Sequence, residues 1–120
     1  MVMAPSILLR SDAVSLSIVP LGGHPDDVGA IVCRVEFEAT GVGEIRSSAS
    51  INVHKLSEFA NDLIKIRTVL HGKAAIHSVE EDFECLVDCV AGRVEISGSV
   101  RLPRDLGRLQ LCFDTDQSFL

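Results

Sequence analysis

The fold class is decided by residues 56–72, LSEFANDLIKIRTVLHG, where the spacing of the apolar side chains changes. In the flanking stretches apolar residues alternate with polar ones, but here they recur at intervals of three and four, which places them on one face of a helix. Gly72 then offers a helix stop, because a left-handed backbone favours glycine. The pattern predicts a single amphipathic helix over about residues 55–71. Its apolar face consists of Leu56, Phe59, Leu63, Ile66 and Leu70.

On the N-terminal side of this helix, alternation of apolar and polar side chains predicts four strands. In the third of them, Cys33, Val35 and Phe37 share one face, and the charged side chains between them share the other. The turn at Thr40–Gly43 contains two glycines, which predicts that the last two strands form a hairpin. The predicted strands are Ile7–Arg10, Ala13–Val19, Ala30–Ala39 and Glu44–Val53.

The alternation returns after the helix and predicts further strands, joined by short turns at residues 80–82 and 91–92. Because short turns and one polar face are typical of antiparallel pairing, we expect an α+β fold. The expected architecture is a single antiparallel sheet of about seven to eight strands with one helix packed on it, in one domain over residues 1–120. The strands after the helix are Lys73–Val79, Phe83–Ala91, Arg93–Arg101 and a last one marked by Leu109, Leu111 and Phe113.

Composition narrows the classes of function. The 17 acidic and 11 basic residues give a net charge of −6, which argues against binding the phosphates of nucleic acid. The chain has no Trp and no Tyr, the side chains most used to stack bases and sugars. No apolar stretch is long enough to span a bilayer, and the N-terminus does not resemble a signal peptide. We therefore expect a cytoplasmic protein that binds neither nucleic acid nor membrane and needs no cofactor.

The loop at residues 20–29 contains the motif His24-Pro25-Asp26-Asp27. This motif resembles that of the LmbE-type zinc deacetylases, in which the His and one Asp bind zinc and the neighbouring Asp acts as a base. Those enzymes, however, place it after the first strand of a longer, parallel-sheet fold, whereas an alternating strand follows here. The alternative is a polar loop whose Pro and Asp set the turn geometry, and this is the interpretation that the context favours.

The four cysteines do not suggest a disulfide scaffold or a metal site. Cys85 and Cys89 lie four positions apart on a predicted strand, so they share a face but are separated by about 13 Å. Cys33 and Cys112 also fall within strand patterns. We expect all four thiols to behave as small hydrophobic core residues.

An acidic cluster accompanies the strand that follows residue 82 and consists of Glu80, Glu81, Asp82, Glu84 and Asp88. It lacks the spaced ligands and terminal bidentate Glu of an EF-hand. Two interpretations remain: an ordinary solvated turn, or an acidic face that meets a basic protein.

From the helix onward the chain resembles the WapI-like immunity proteins of bacterial polymorphic-toxin systems. The resemblance covers about residues 45–120 and implies an antiparallel sheet with one helix, no catalytic residues, and a role in binding and neutralising a cognate toxin. The residues that carry it are Leu56, Phe59, Leu63, Leu70, Gly72, Ala74, Gly92, Val94, Gly98, Leu109, Phe113 and the terminal Asp116-Gln117-Ser118-Phe119-Leu120.

Three functions follow as hypotheses. The first is a non-enzymatic binding protein, an immunity protein whose partner is a basic toxin domain. The second is a zinc-dependent hydrolase or deacetylase that uses the motif at residues 24–27, and the third is a structural module that assembles through exposed sheet edges. The expected partner surface consists of Glu80, Glu81, Asp82, Glu84, Asp88, His24, Asp26 and Asp27.

Overall fold

The structure, a computed structural model, describes residues 5–22, 25–27, 29–102, 104 and 107–116. Its elements follow the alternation and the change of period along the chain, and most boundaries lie within one or two residues of those predicted. They are β1 (Ile7–Arg10), β2 (Val14–Pro20), β3 (Ala30–Ala39), β4 (Gly43–Asn52), α1 (Val53–Val69), β5 (Gly72–His77), β6 (Phe83–Val90), β7 (Arg93–Arg101) and β8 (Arg108–Asp116).

The α+β class is confirmed, but the prediction of a single sheet is wrong. The strands form two four-stranded antiparallel sheets, with the orders β1-β2-β3-β4 and β5-β6-β7-β8. Eight strands side by side would be about 38 Å wide, and one helix about 10 Å across leaves most of such an apolar face in water. Two sheets that cover each other satisfy the same alternation pattern without that exposure.

The core lies between the inner faces of the two sheets. Phe37 of the first sheet contacts Phe83 of the second, with ring centroids 6.4 Å apart. Gly98 on β7 lies against Leu16 and Phe37 so closely that an added Cβ would be 2.5 Å from Leu16 Cδ1. The absence of a side chain at residue 98 therefore allows the two sheets to approach each other here.

Helix α1 connects the sheets and covers one side of the core. Its N-terminus is capped by Asn52, whose side chain accepts hydrogen bonds from the N–H groups of His54 and Lys55 at 2.9 and 3.2 Å. The buried face consists of Val53, Leu56, Phe59, Leu63 and Ile66, and it packs mainly on β5. The period of three and four thus identified the helix correctly.

The helix ends differently from the prediction. The left-handed residue is Leu70, with φ of 60°, and its N–H donates to Ile66 O at 2.8 Å. Gly72, predicted as the stop, already belongs to β5. It still requires glycine, because its φ is 137° and a Cβ there would lie 3.3 Å from Ile66 Cγ1.

The cysteines divide into two groups. Cys33, Cys85 and Cys89 are fully buried, as predicted, but Cys112 is exposed on the outer face of β8, so the core prediction is wrong for this residue. Burial raises the pKa of the Cys33 thiol to about 11 and that of Cys85 to about 12, because a thiolate is poorly solvated in an apolar core.

None of the helical residues that the structure describes forms a segment long and apolar enough to cross a membrane.

Candidate partner-binding surface

The predicted acidic cluster occupies two different regions. Glu80, Glu81 and Asp82 form the turn between β5 and β6, whereas Glu84 and Asp88 lie along β6 on the outer face of the second sheet. In that sheet, Glu84 pairs in register with His77 and Ser99, and Asp88 pairs with Lys73 and Glu95. The five carboxylates therefore do not form one continuous surface.

The turn is built around Ser78, which is fully buried. Ser78 N–H donates to Phe83 O at 2.9 Å, and Phe83 N–H donates to Ser78 Oγ at 3.0 Å. The Ser78 hydroxyl donates to the Asp82 carboxylate, and Arg101 N–H donates to Asp82 O at 2.7 Å. These bonds fix the backbone of the turn and hold the Asp82 carboxylate in one position.

The turn also joins the second sheet to the edge of the first. Val79 N–H donates to Ser50 O on β4 at 2.8 Å. Glu80 and Asp82 consequently lie over the outer face of the first sheet, where they line a shallow groove of about 260 Å³ together with Val32, Ser48, Ala49 and Ser50.

The loop before β3 reaches the same end of the first sheet. The Asp26 carboxylate accepts a hydrogen bond from Ala30 N–H at 2.9 Å, and Asp26 N–H donates to Ala30 O at 2.9 Å. Gly29 N–H donates to Asp26 O at 3.0 Å, and Gly29 O accepts from Val53 N–H at 2.9 Å. The carboxylate of Asp26 thus supports the turn geometry that the loop interpretation predicts.

The two aspartates of the motif have different settings. Both are exposed, and the hydrogen bond from Ala30 N–H is accepted by Asp26. His24, the proposed first zinc ligand, lies outside the described residues. Among the residues that the structure does describe, no group of three or more His, Cys, Asp and Glu side chains is arranged to hold a metal ion.

Between the loop and the turn lie three exposed apolar residues. Leu21, Val32 and Val79 expose 52%, 49% and 49% of their surface. Leu21 N–H donates to Val32 O at 3.0 Å, and Val32 pairs in register with Ser50, which in turn accepts from Val79. These contacts place Leu21 beside Val32 and Val79 beside Ser50, so the three residues lie in one row that includes Ser50.

We call this row and the carboxylates beside it the acidic–apolar surface. No described cation forms a salt bridge with Asp27, Glu80 or Asp82. The salt bridges within the described part of the chain join Glu36 to both Arg34 and Arg46, Glu44 to Arg46, and Asp114 to Arg93. The surface consists of Leu21, Val32 and Val79 with Asp26, Asp27, Glu80 and Asp82.

The apolar part of this surface was missed by the sequence analysis, although one signal was present. In β3 the outward positions are polar except for Val32, which interrupts the alternation between Ile31 and Cys33. Leu21 and Val79 come from distant parts of the chain, and only the strand register brings them beside Val32.

Comparison with known proteins finds no matching family model, no matching curated protein and no matching solved structure.

Replacing Ser78 with alanine should lower the free energy of unfolding by about 1–3 kcal/mol, because the buried N–H of Phe83 and the carboxylate of Asp82 lose their partner. Urea denaturation measures the effect. The control is Ser97→Ala on β7, where the side chain is exposed and a change below about 0.5 kcal/mol is expected. Equal effects of the two substitutions would contradict a structural role for the Ser78 hydroxyl.

Proposed function

We propose that this protein is a non-enzymatic binding protein whose acidic–apolar surface binds a basic partner protein. The observation that carries the proposal is the exposed row of Leu21, Val32 and Val79 with carboxylates beside it. A water-exposed apolar row gains free energy when a partner covers it. Apolar side chains surrounded by polar ones are also the usual composition of a protein interface.

The carboxylates supply selectivity for the charge of the partner. Glu80 and Asp82 line the groove beside Val32, and Asp27 is exposed on the loop at the same end of the sheet. A basic partner would approach faster because opposite charges steer the encounter, and like-charged proteins would be repelled. The hydrogen bonds of Ser78 and Asp26 to the backbone keep the turn and the loop in place before binding, which reduces the entropy lost on association.

The resemblance to WapI-like immunity proteins suggests which partner this is. We infer a cytoplasmic immunity protein that occludes a basic toxin domain of the same bacterium. The net charge of −6 supports a basic protein partner over nucleic acid.

The test measures binding to the product of a large toxin gene directly upstream, using isothermal titration calorimetry and rescue of cells that express the toxin. The informative variant is Val32→Lys/Glu80→Lys, which should weaken binding about a hundredfold and abolish rescue. Its matched control is Leu86→Lys/Glu84→Lys on the outer face of the second sheet, since Leu86 is 54% exposed and Glu84 is also exposed.

The control variant should change the affinity less than threefold and preserve rescue. Raising the salt concentration should slow association of the wild-type proteins, because exposed charges are screened. If the toxin kills cells equally with and without the wild-type protein, the immunity function is wrong. If both double variants weaken binding equally, the partner does not use the acidic–apolar surface.

A further inference from the structure

Strand β8 forms one edge of the second sheet. It pairs with β7 over nine residues, from Arg108 opposite Arg101 to Asp116 opposite Arg93, and no other described strand pairs with it. Its outer edge therefore presents a row of backbone N–H and C=O groups that a further strand would satisfy.

The inward-pointing side chains at this edge of the core are only partly covered. Leu109, Leu111 and Phe113 point inward but are only partly buried, whereas their neighbours in register on β7, Val100 and Ile96, expose 3% and 1%. An open groove of about 470 Å³ lies beside Leu109 and Leu111, lined also by Phe37, Val42 and Ile45 of the first sheet. A strand added to this edge would cover apolar surface as well as backbone groups.

Strand β8 carries the charged side chains Arg108 and Asp114 on its outer face, but other devices against edge pairing are absent from its described residues. It has no proline and no lysine, and its only inward-pointing side chains are apolar or hydroxyl-bearing. When two copies of residues 108–114, RLQLCFD, are aligned antiparallel, their facing side chains are complementary. In an antiparallel pair of copies centred on Leu111, Leu109 faces Phe113 and Arg108 faces Asp114.

We propose that two copies of the chain pair antiparallel along β8, centred on Leu111, so that one eight-stranded sheet runs across the dimer. A two-fold axis perpendicular to the sheet keeps the inner face of both copies on the same side. The apolar row Leu109, Leu111 and Phe113 then meets the same row of the second copy. All three facing pairs on this side are apolar, and apolar side chains that lie directly opposite each other on neighbouring strands stabilise the pairing.

In the register centred on Leu111, the charges of Arg108 and Asp114 on the outer face are also complementary. Arg108 donates to Ser99 Oγ on β7 at 3.2 Å and to Glu81 O of the β5–β6 turn at 2.8 Å, so its guanidinium lies on the β7 side of β8. A guanidinium has five N–H donors and can bind a carboxylate in addition to these acceptors. Asp114, which is exposed on the same face and accepts from Arg93 of β7 at 3.4 Å, would lie opposite Arg108 of the second copy, and two-fold symmetry would repeat the pair.

This inference does not depend on the proposed function. The acidic–apolar surface belongs to the outer face of the first sheet and to the β5–β6 turn, which β8 contacts through Arg108 and Glu81 O, whereas the proposed pairing uses the open edge of β8. A dimer of this kind would present two copies of the acidic–apolar surface.

The first test is sedimentation equilibrium of the full chain between about 1 and 200 μM, under reducing conditions. The wild-type protein should dimerise. Both Arg108→Glu and Asp114→Arg place like charges opposite each other at two symmetric positions, and each should raise the dimer dissociation constant about tenfold or more. The charge-swapped double variant Arg108→Glu/Asp114→Arg should recover most of the affinity, while thermal denaturation confirms that every variant is folded. A wild-type monomer at 200 μM, or a double variant weaker than either single variant, would overturn the proposal.

The second test fixes the register with a disulfide. Gln110 lies opposite Cys112 of the second copy, and cross-strand pairs have Cα separations compatible with a disulfide. Mild oxidation of Gln110→Cys should therefore give a covalent dimer, and Gln110→Cys/Cys112→Ser should not. A dimer linked through Cys112 of both copies in the wild-type protein would overturn the register, because it requires a pairing centred on Cys112.

Discussion

Replacing Gly98 with valine is expected to lower the free energy of unfolding by about 3 kcal/mol or more, since overpacking a full core forces its neighbours out of their rotamers. A Cβ at this position would lie 2.5 Å from Leu16 Cδ1 and 3.2 Å from Phe37 Cζ. Leu16 is fully buried and Phe37 is 4% exposed, so neither side chain can move away without displacing others. A loss of this size is a large part of the 5–15 kcal/mol that stabilises an ordinary domain.

Denaturation in guanidinium chloride measures the effect, and the chain offers a matched control on the same strand. Ser97 precedes Gly98 but points to the outer face, where it is exposed. Ser97→Val should change the stability by less than about 0.5 kcal/mol, because a β-branched residue suits an exposed strand position. The combination Gly98→Val/Leu16→Ala should recover part of the loss, since removal of the Leu16 side chain provides the space. If Gly98→Val is as stable as the wild type, the two sheets do not pack against each other at this point.

The elements of the fold could be predicted from the sequence because each has its own period. The alternation in β3 and β7 predicted both strands with their observed limits, Ala30–Ala39 and Arg93–Arg101. The number of sheets could not be predicted in this way. A strand with one apolar face has the same alternation whether a helix or a second sheet covers that face, and nothing in this alternation marks Gly98 as a point of close approach between two sheets.

The candidate surface was predicted for its charged part only. Glu80, Asp82 and Asp26 were recognised as residues of polar loops, and the structure places both loops at one end of the first sheet. Glu84 is close to Asp82 in the sequence, but it belongs to a strand of the other sheet. Residues that are close in the sequence can therefore lie on different surfaces when one belongs to a turn and the other to a strand. The neighbours of a strand residue are set by the register of its own sheet.

Raising the pH from 8 to 11 is expected to lower the free energy of unfolding by about 3–5 kcal/mol through two buried thiols. The pKa of Cys33 is raised by burial to about 11 and that of Cys85 to about 12, from an ordinary value of 9.0. In the unfolded chain both thiols lose their protons near pH 9, whereas in the folded chain they keep them. The stabilisation is therefore fully present below pH 9 and is lost progressively as the pH rises from 9 to about 11 for Cys33 and to about 12 for Cys85.

The composition of the chain makes this effect measurable. The chain has no tyrosine, and the side chains of Lys55, Lys65 and Lys73 are exposed. Urea denaturation at a series of pH values, with a reductant present, gives the dependence. Cys33→Ala/Cys85→Ala should be less stable at pH 8 because of the cavities it leaves, yet its stability should fall much less between pH 8 and 11. If the wild type and the double variant lose stability equally over this interval, the thiols are not the groups that make the folded state sensitive to alkali, and deprotonation elsewhere must be responsible.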